Sequence, residues 1–173
     1  MGFLERVFGG GEGLPAALDV DGGRGKVLSP VAGQAVPLTE VPDPVFASGA
    51  LGVGMAIEPE GDVLFSPVDG VVSVTTGTDH AIGVTDEGGA DILLHIGIDT
   101  VSLRGQGFQR LVGKGQHVSA GQPLMRFDPG LIRKSGLDSH VVVCVTNTED
   151  LAAVTPAVPG KVDAGELVLA IEY

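Results

Sequence analysis

The chain carries four histidines, and two of them, His80 and His95, stand where their spacing can do chemistry. Ala81-Ile-Gly-Val-Thr85, then Asp-Glu-Gly-Gly, then Ala90-Asp-Ile-Leu-Leu-His-Ile96 reads as a β-hairpin. A loop of even length centred on Glu87-Gly88 sets His80 directly opposite His95 on one face, with Cβ atoms about 5 Å apart. An odd loop would put the two on opposite faces. In the even register Thr78 shares the face of His80, and Gly97 opposite it leaves a hollow beside both imidazoles. Three chemistries suit such a group. The pair can be satisfied by local hydrogen bonds alone. It can be half of a zinc site, with His80 and His95 as ligands and a third ligand supplied from elsewhere. Or one imidazole nitrogen attacks a phosphoryl group while a carbonyl holds its other N–H, the second histidine and the threonine hydrogen-bonding the phosphoryl oxygens. The sequence has no GxxxxGK[ST] loop, so a phosphoryl group would arrive on another protein or a small donor. His117, in the turn-flanking GQHVSAG, reads as a surface residue, and His140 as structural or solvent-facing. Cys144, the lone cysteine, lies in the apolar run VVVCV and reads as a buried thiol.

The elements that must hold the pair are short strands. From Lys26 onward KVLS, QAVPL, VGMAI, DVLF, VVSVTT, AIGVT, DILLHIGI, PLMRF, VVVCVT and LVLAIEY alternate with turn signals every 8–12 residues or so, the spacing of an all-β sandwich or barrel. Helical signals are confined to Pro129 to Lys134 and to the stretch opened by Thr148 as an N-cap. LSPVAGQAV (28–36) resembles FSPVDGVVSV (65–74), and GQHVSAGQPLMRFD (115–128) resembles GKVDAGELVLAIE (160–172). These repeats suggest two pseudo-equivalent β layers around one core. The expectation is a compact antiparallel β-sandwich, or barrel-sandwich hybrid, over residues 26–173. Residues 1–25 read as a flexible tail: Phe3, Leu4, Val7 and Phe8 have helical spacing, and GGGEG and DGGRG follow. That short amphipathic segment suits weak contact with a membrane surface.

Composition narrows the function classes. The 173 residues include 28 glycines and 11 prolines, but 43% are hydrophobic, which argues against disorder. The formal net charge is −12 and only 4% of residues are aromatic, so nucleic-acid binding, which needs phosphate neutralisation and stacking platforms, is disfavoured. No apolar stretch approaches the roughly 20 residues of a membrane span, and no export signal is visible, so a cytoplasmic protein is expected.

At Gly89-Ala-Asp-Ile-Leu-Leu-His95-Ile-Gly97-Ile-Asp99-Thr100-Val101 the sequence resembles the phosphorylation-site signature of the glucose-type IIA proteins of the bacterial phosphoenolpyruvate–sugar phosphotransferase system. The resemblance extends through VPDPVF (41–46), SPVDG (66–70), Thr78-Asp79-His80-Ala81 and LRGQGF (103–108), and covers residues 26–173. It implies a phosphocarrier: His95 accepts phosphate on Nε2 from the carrier HPr and passes it to a cysteine of a IIB domain, His80 is the second active-site histidine, and Thr78 hydrogen-bonds into the site. No cofactor is required, although the resemblance also implies a zinc site shared by His80, His95 and a partner's carboxylate. Phe46, Val101 and Gly97 are placed on the apolar surface that HPr and IIB contact. Regulatory partners read by phosphorylation state, and a membrane-binding N-terminal tail, are known in the group. Two positions depart from it. Asp79 replaces the usual asparagine and brings a negative charge beside the site unless it points away, as strand alternation predicts. Thr76 replaces an apolar residue of the ring.

Two rival assignments fail on spacing. A lysostaphin-type zinc peptidase shares the H-x-x-x-D phrasing of His95 to Asp99 but needs a later H-x-H, which is missing. A biotinyl or lipoyl carrier needs a lysine at a hairpin tip, and Lys114 and Lys161 sit in the wrong setting. A pure interaction module with a degenerate site is the remaining alternative. The mechanistic expectation is a neutral His95 as nucleophile with a protonated His80 stabilising the transferred group.

Overall fold

Ten of the strands expected from β-branched runs form, and they stack in layers. The computed structural model of the chain describes residues 13–173; the amphipathic segment expected over residues 1–8 lies outside the described residues. The strands are β1 (Lys26–Leu28), β2 (Gly33–Pro37), β3 (Val53–Pro59), β4 (Val63–Phe65), β5 (Gly70–Thr75), β6 (Ala81–Asp86), β7 (Asp91–Ile96), β8 (Phe108–Arg110), β9 (His117–Val118), β10 (Pro123–Phe127), β11 (Val141–Val145), β12 (Ala153–Pro156), β13 (Gly160–Val162) and β14 (Leu167–Glu172). One eight-stranded antiparallel sheet has the order β13-β2-β3-β11-β7-β6-β5-β9, and two three-stranded sheets, β1-β14-β12 and β4-β10-β8, accompany it. The strands that matter for the site are β3, β5, β6, β7 and β11. The sheets do not close on themselves, so the molecule is a β-sandwich and not a barrel.

Strand β7 shows how sequence sets the layers. Ile92, Leu94 and Ile96 are fully or almost fully buried in the main core, whereas Asp91, Leu93 and His95 alternate to the other face. Each buried aliphatic side chain contributes about 1.5–3 kcal/mol. The main core takes Val27 and Leu169 from one small sheet, Leu64, Met125 and Phe127 from the other, and the inner face of the large sheet. Strand β11 is buried at every position. Its Val141, Val143 and Val145 join the main core, while Val142 and Cys144 join a second cluster with Leu38, Val41, Phe46, Ala56 and Ile98 on the opposite face. The VVVCV run is therefore continuous because both faces are covered. Burial pushes the Cys144 thiol up to about 12, and it is inert at neutral pH.

The repeats are structural. Ser29 Oγ donates to Val31 O and Ser66 Oγ to Val68 O, both at 2.7 Å, in matching buried turns. The copies hydrogen-bond each other reciprocally, Leu28 N–H to Pro67 O (2.9 Å) and Phe65 N–H to Pro30 O (2.8 Å). The longer repeats supply the turns beneath them: Gly165 N–H donates to Ser29 O and Gly121 N–H to Ser66 O. Val20 rests against both glycines, where an added Cβ would fall 2.8 Å from it at Gly121 and 2.6 Å at Gly165. Leu18 N–H donates to Gly121 O. Contacts with the sandwich thus begin before the boundary expected at residue 25.

The helical expectations are met at Pro129–Lys134, here α2, capped by the Asp128 carboxylate on Leu131 N–H. The other differs in detail: Thr148 opens a 3-10 turn over Thr148–Asp150, with Asn147 at the cap position, and the Thr148 hydroxyl donates back to Val145 O. Among the described residues, a further short helix, α1 (Pro44–Ala47), and 3-10 turns at Leu38–Glu40 and Thr100–Leu103 complete the helical content.

Candidate functional site

The hairpin β6–β7 places the histidines, but in a register one residue away from the even loop. Ala81 pairs with His95, Ile82 with Leu94 and Thr85 with Asp91. The cause is the loop. Gly89 takes a left-handed conformation, φ +92°, and Asp86 N–H donates to Ala90 O, closing a three-residue loop over 87–89. The Asp86 carboxylate fixes it by accepting from Gly88 N–H (2.9 Å) and Ala90 N–H (2.8 Å). In this odd register strict alternation would send His80 to the far face. His80 escapes that rule because it lies outside β6, in a bend after Asp79, whose φ is +57°. The two imidazoles meet edge to face with centroids 5.1 Å apart and planes at 78°.

Each ring is held at Nδ1. His95 Nδ1 lies 2.7 Å from Gly97 O. A carbonyl only accepts, so Nδ1 carries the proton and the lone pair is on Nε2. His80 Nδ1 lies 2.6 Å from Thr78 Oγ1, with Thr76 Oγ1 farther off at 3.5 Å. Among the described residues the Nε2 of neither ring has a hydrogen-bond partner. Phe46 walls the other side of His95, its ring centroid 5.1 Å away at 61°. It is delivered by α1, whose N-terminus is capped by the Asp43 carboxylate on Val45 N–H (2.8 Å). This wall and its cap are the part of the site that sequence spacing missed; Asp43-Pro44 ahead of Val45-Phe46 is the signal, an N-cap followed by proline at the first helical position.

Burial lowers the pKa of His95 below the ordinary imidazole value; the Gly97 hydrogen bond opposes this, His80 adds to it, and Asp43 and Asp99 oppose it. His80 is lowered too, again by burial, with Asp79 opposing. Both rings are therefore neutral at pH 7, and the expectation of a protonated His80 gives way to a neutral one. Asp79 does not load the site with free negative charge, since its Oδ1 accepts from Arg110 Nε at 2.9 Å. That ion pair, and not strand alternation, is what turns it aside.

The remaining candidates fall differently from expectation. Gly97 leaves no hollow: it is buried, its φ is +69°, and a Cβ there would lie 2.5 Å from Thr100 Cγ2 and 2.9 Å from Asp138 O. It presents a carbonyl to His95 and offers a partner no surface. Phe46 is only 5% exposed, whereas its neighbour Val45 on α1 and Val101 in the 3-10 turn that follows β7 are 47% and 54% exposed. His117 is exposed at the start of β9 (His117–Val118). His140 is structural, its Nδ1 2.7 Å from Asp138 Oδ1. Among the described residues no group of three or more His, Cys, Asp or Glu side chains converges on a point that could hold a metal. His80 and His95 fit a zinc ion only as two ligands, with the rest of the shell coming from outside them.

Residues 25–151 match the family described as phosphoenolpyruvate-dependent sugar phosphotransferase system, EIIA 1. This chain belongs to that family. The glucose-specific EIIA component of Oceanobacillus iheyensis is 42% identical over 140 residues, covering 81% of this chain and 85% of its own. The glucose-specific EIIBCA component of Corynebacterium glutamicum is 41% identical over 146 residues, 84% of this chain but 22% of that longer protein. The chain thus spans about a fifth of the EIIBCA relatives and most of the free-standing EIIA component. Glucose permease IIA from Mycoplasma capricolum superposes with a TM-score of 0.73 at 36% identity, over 83% of this chain and 93% of that one. The EIIA sandwich is therefore common to the two. Among the described residues no helix is long and apolar enough to cross a membrane.

Proposed function

We propose that this EIIA chain is a phosphocarrier that takes phosphate from phospho-HPr on His95 Nε2 and gives it to a cysteine of a IIB domain, coupling to sugar uptake on the cytoplasmic side. The observation that carries the reading is the 2.7 Å contact from His95 Nδ1 to Gly97 O, which leaves Nε2 as the nucleophilic nitrogen. In the forward step the Nε2 lone pair forms a bond to phosphorus as the bond to the donor's imidazole nitrogen breaks, and that nitrogen recovers its lone pair. Nδ1 keeps its proton throughout, so no general base is needed. Transfer through a loose transition state asks for alignment and charge stabilisation, and fixed groups meet both demands. With the Thr78 hydroxyl donating to His80 Nδ1, the neutral ring bears its proton on Nε2 and offers that N–H to a phosphoryl oxygen. Phe46 limits water on one side, and Val45 and Val101 give a partner an apolar rim.

Intact mass after incubation with phosphoenolpyruvate, enzyme I and HPr tests this reading. One phosphate is gained by the wild type, none by His95→Ala, and one by His80→Gln, which then donates poorly to IIB. Substantial labelling of His95→Ala would refute it.

A further inference from the structure

The carbonyl that selects the reactive nitrogen is itself held from behind by a polar cluster that the phosphocarrier chemistry does not use. The Gly97 C=O and the Ile98 N–H belong to one planar peptide unit and point in opposite directions. Ile98 N–H donates to Asp138 O at 2.9 Å, and the preceding Gly97 N–H donates to His140 O at 2.8 Å. These two bonds aim the Gly97 carbonyl at His95. The carbonyls of Asp138 and His140 are in turn fixed by side chains. Asp138 Oδ1 accepts from the His140 backbone N–H at 2.9 Å and from His140 Nδ1–H at 2.7 Å, clamping the 138–140 segment into a tight turn. The far side of the His140 ring faces Glu58, with Nε2 3.5 Å from Oε2. The other Glu58 oxygen accepts from Arg133 Nη2 (3.0 Å) and Ser139 Oγ (2.8 Å), and Ser139 Oγ accepts from Arg133 Nε (3.0 Å).

We propose that Asp138 and His140 are positioning residues for His95: their side-chain clamp sets the direction of the Gly97 carbonyl and thereby keeps the His95 proton on Nδ1. The claim rests on the reading of His95 as phosphate acceptor, but it makes its own prediction about the free protein. The carboxylate holds the imidazole, the imidazole and carboxylate hold two main-chain carbonyls, and those hold the peptide that holds His95. A clamp of this kind acts on geometry and tautomer without touching the phosphoryl group, as outer partners do for metal-bound histidines.

The test uses the full chain labelled with nitrogen-15, reading the His95 imidazole nitrogens by long-range proton–nitrogen NMR at pH 8, together with the rate of phosphate uptake. Wild type is expected to show His95 in the Nδ1–H form. In Asp138→Ala and His140→Ala the His95 nitrogen shifts move toward the Nε2–H form and uptake slows about tenfold. Asp138→Asn, which keeps Oδ1 as an acceptor, retains nearly wild-type shifts and rate. Wild-type His95 shifts in a folded Asp138→Ala overturn the proposal, and if that variant fails to fold the same reading of His140→Ala decides it. If wild type takes up no phosphate, the phosphocarrier reading fails while the nitrogen shifts still decide the positioning claim.

Discussion

Because the Gly97 carbonyl can only accept, His95 keeps Nδ1 protonated and presents Nε2, and burial keeps the ring from taking a second proton. The pH dependence follows. On the proposed phosphocarrier reading the neutral ring is the nucleophile, and its pKa in the folded protein lies below the unfolded value of about 6.5. Phosphate uptake is therefore expected to stay level from pH 8 down to about 6.5 and to fall only below that. For stability, the unfolded chain binds its proton first, so it holds more protons than the folded chain in the window just below about pH 6.5. Stability then rises with pH across that window, is lost as pH falls through it, and is unaffected by this group at higher pH. Denaturant midpoints of wild type and His95→Gln between pH 7 and 5 check the second half, the variant showing the shallower loss. An uptake midpoint above 6.5 would contradict the first. Both histidines and Thr78 are legible in the sequence as candidates, but the even register that predicted their shared face does not form, and the bend after Asp79 is what brings His80 to His95. The neutral state of His80 is not legible, since burial by residues distant in the chain decides it.

At the scale of elements, the site depends on two departures from regular strands, the bend after Asp79 and the turn that follows β7. Gly97 heads that turn at φ +69°, with Thr100 and Asp138 closing around it. Gly97→Ala is expected to cost about 2 kcal/mol from the left-handed backbone and the crowded Cβ, read as a lowered denaturant midpoint. Its phosphate uptake should fall more than its folded fraction does, because the displaced carbonyl no longer fixes His95. Unchanged uptake per folded molecule would separate Gly97 from the site. The hairpin itself was legible, and its register was not. Glu87-Gly88 invites a two-residue turn, but the second glycine of the Gly88-Gly89 pair takes the left-handed position and makes the loop odd. The strands missing from the sequence expectation are β8 (Phe108–Arg110), β9, β12 (Ala153–Pro156) and β13 (Gly160–Val162). They are two to four residues long.

Over the whole molecule, the repeated SPV turns form a pseudo-symmetric base, and the large sheet carries His95 and the bend that holds His80. That arrangement was legible as a repeat, because matching serines and glycines make the same turns; the packing of Val20 across both glycines was not, since DGGRG reads as linker. The remaining global property is charge. A net charge of −12 surrounds a site with neutral histidines, and Asp43 and Asp99 act on His95 from nearby. A donor with a basic docking face would be steered toward this surface, and screening should weaken that steering. The Debye length shrinks from about 30 Å at 0.01 M salt to about 10 Å at 0.1 M. The second-order rate of phosphate uptake, measured by rapid quench below saturation, is expected to fall severalfold over that range while the single-turnover rate at saturating donor stays constant. A second-order rate that does not change with salt would mean that the apolar rim of Val45 and Val101, and not the acidic surface, governs encounter. A saturated rate that falls in parallel would place the salt effect in the transfer step.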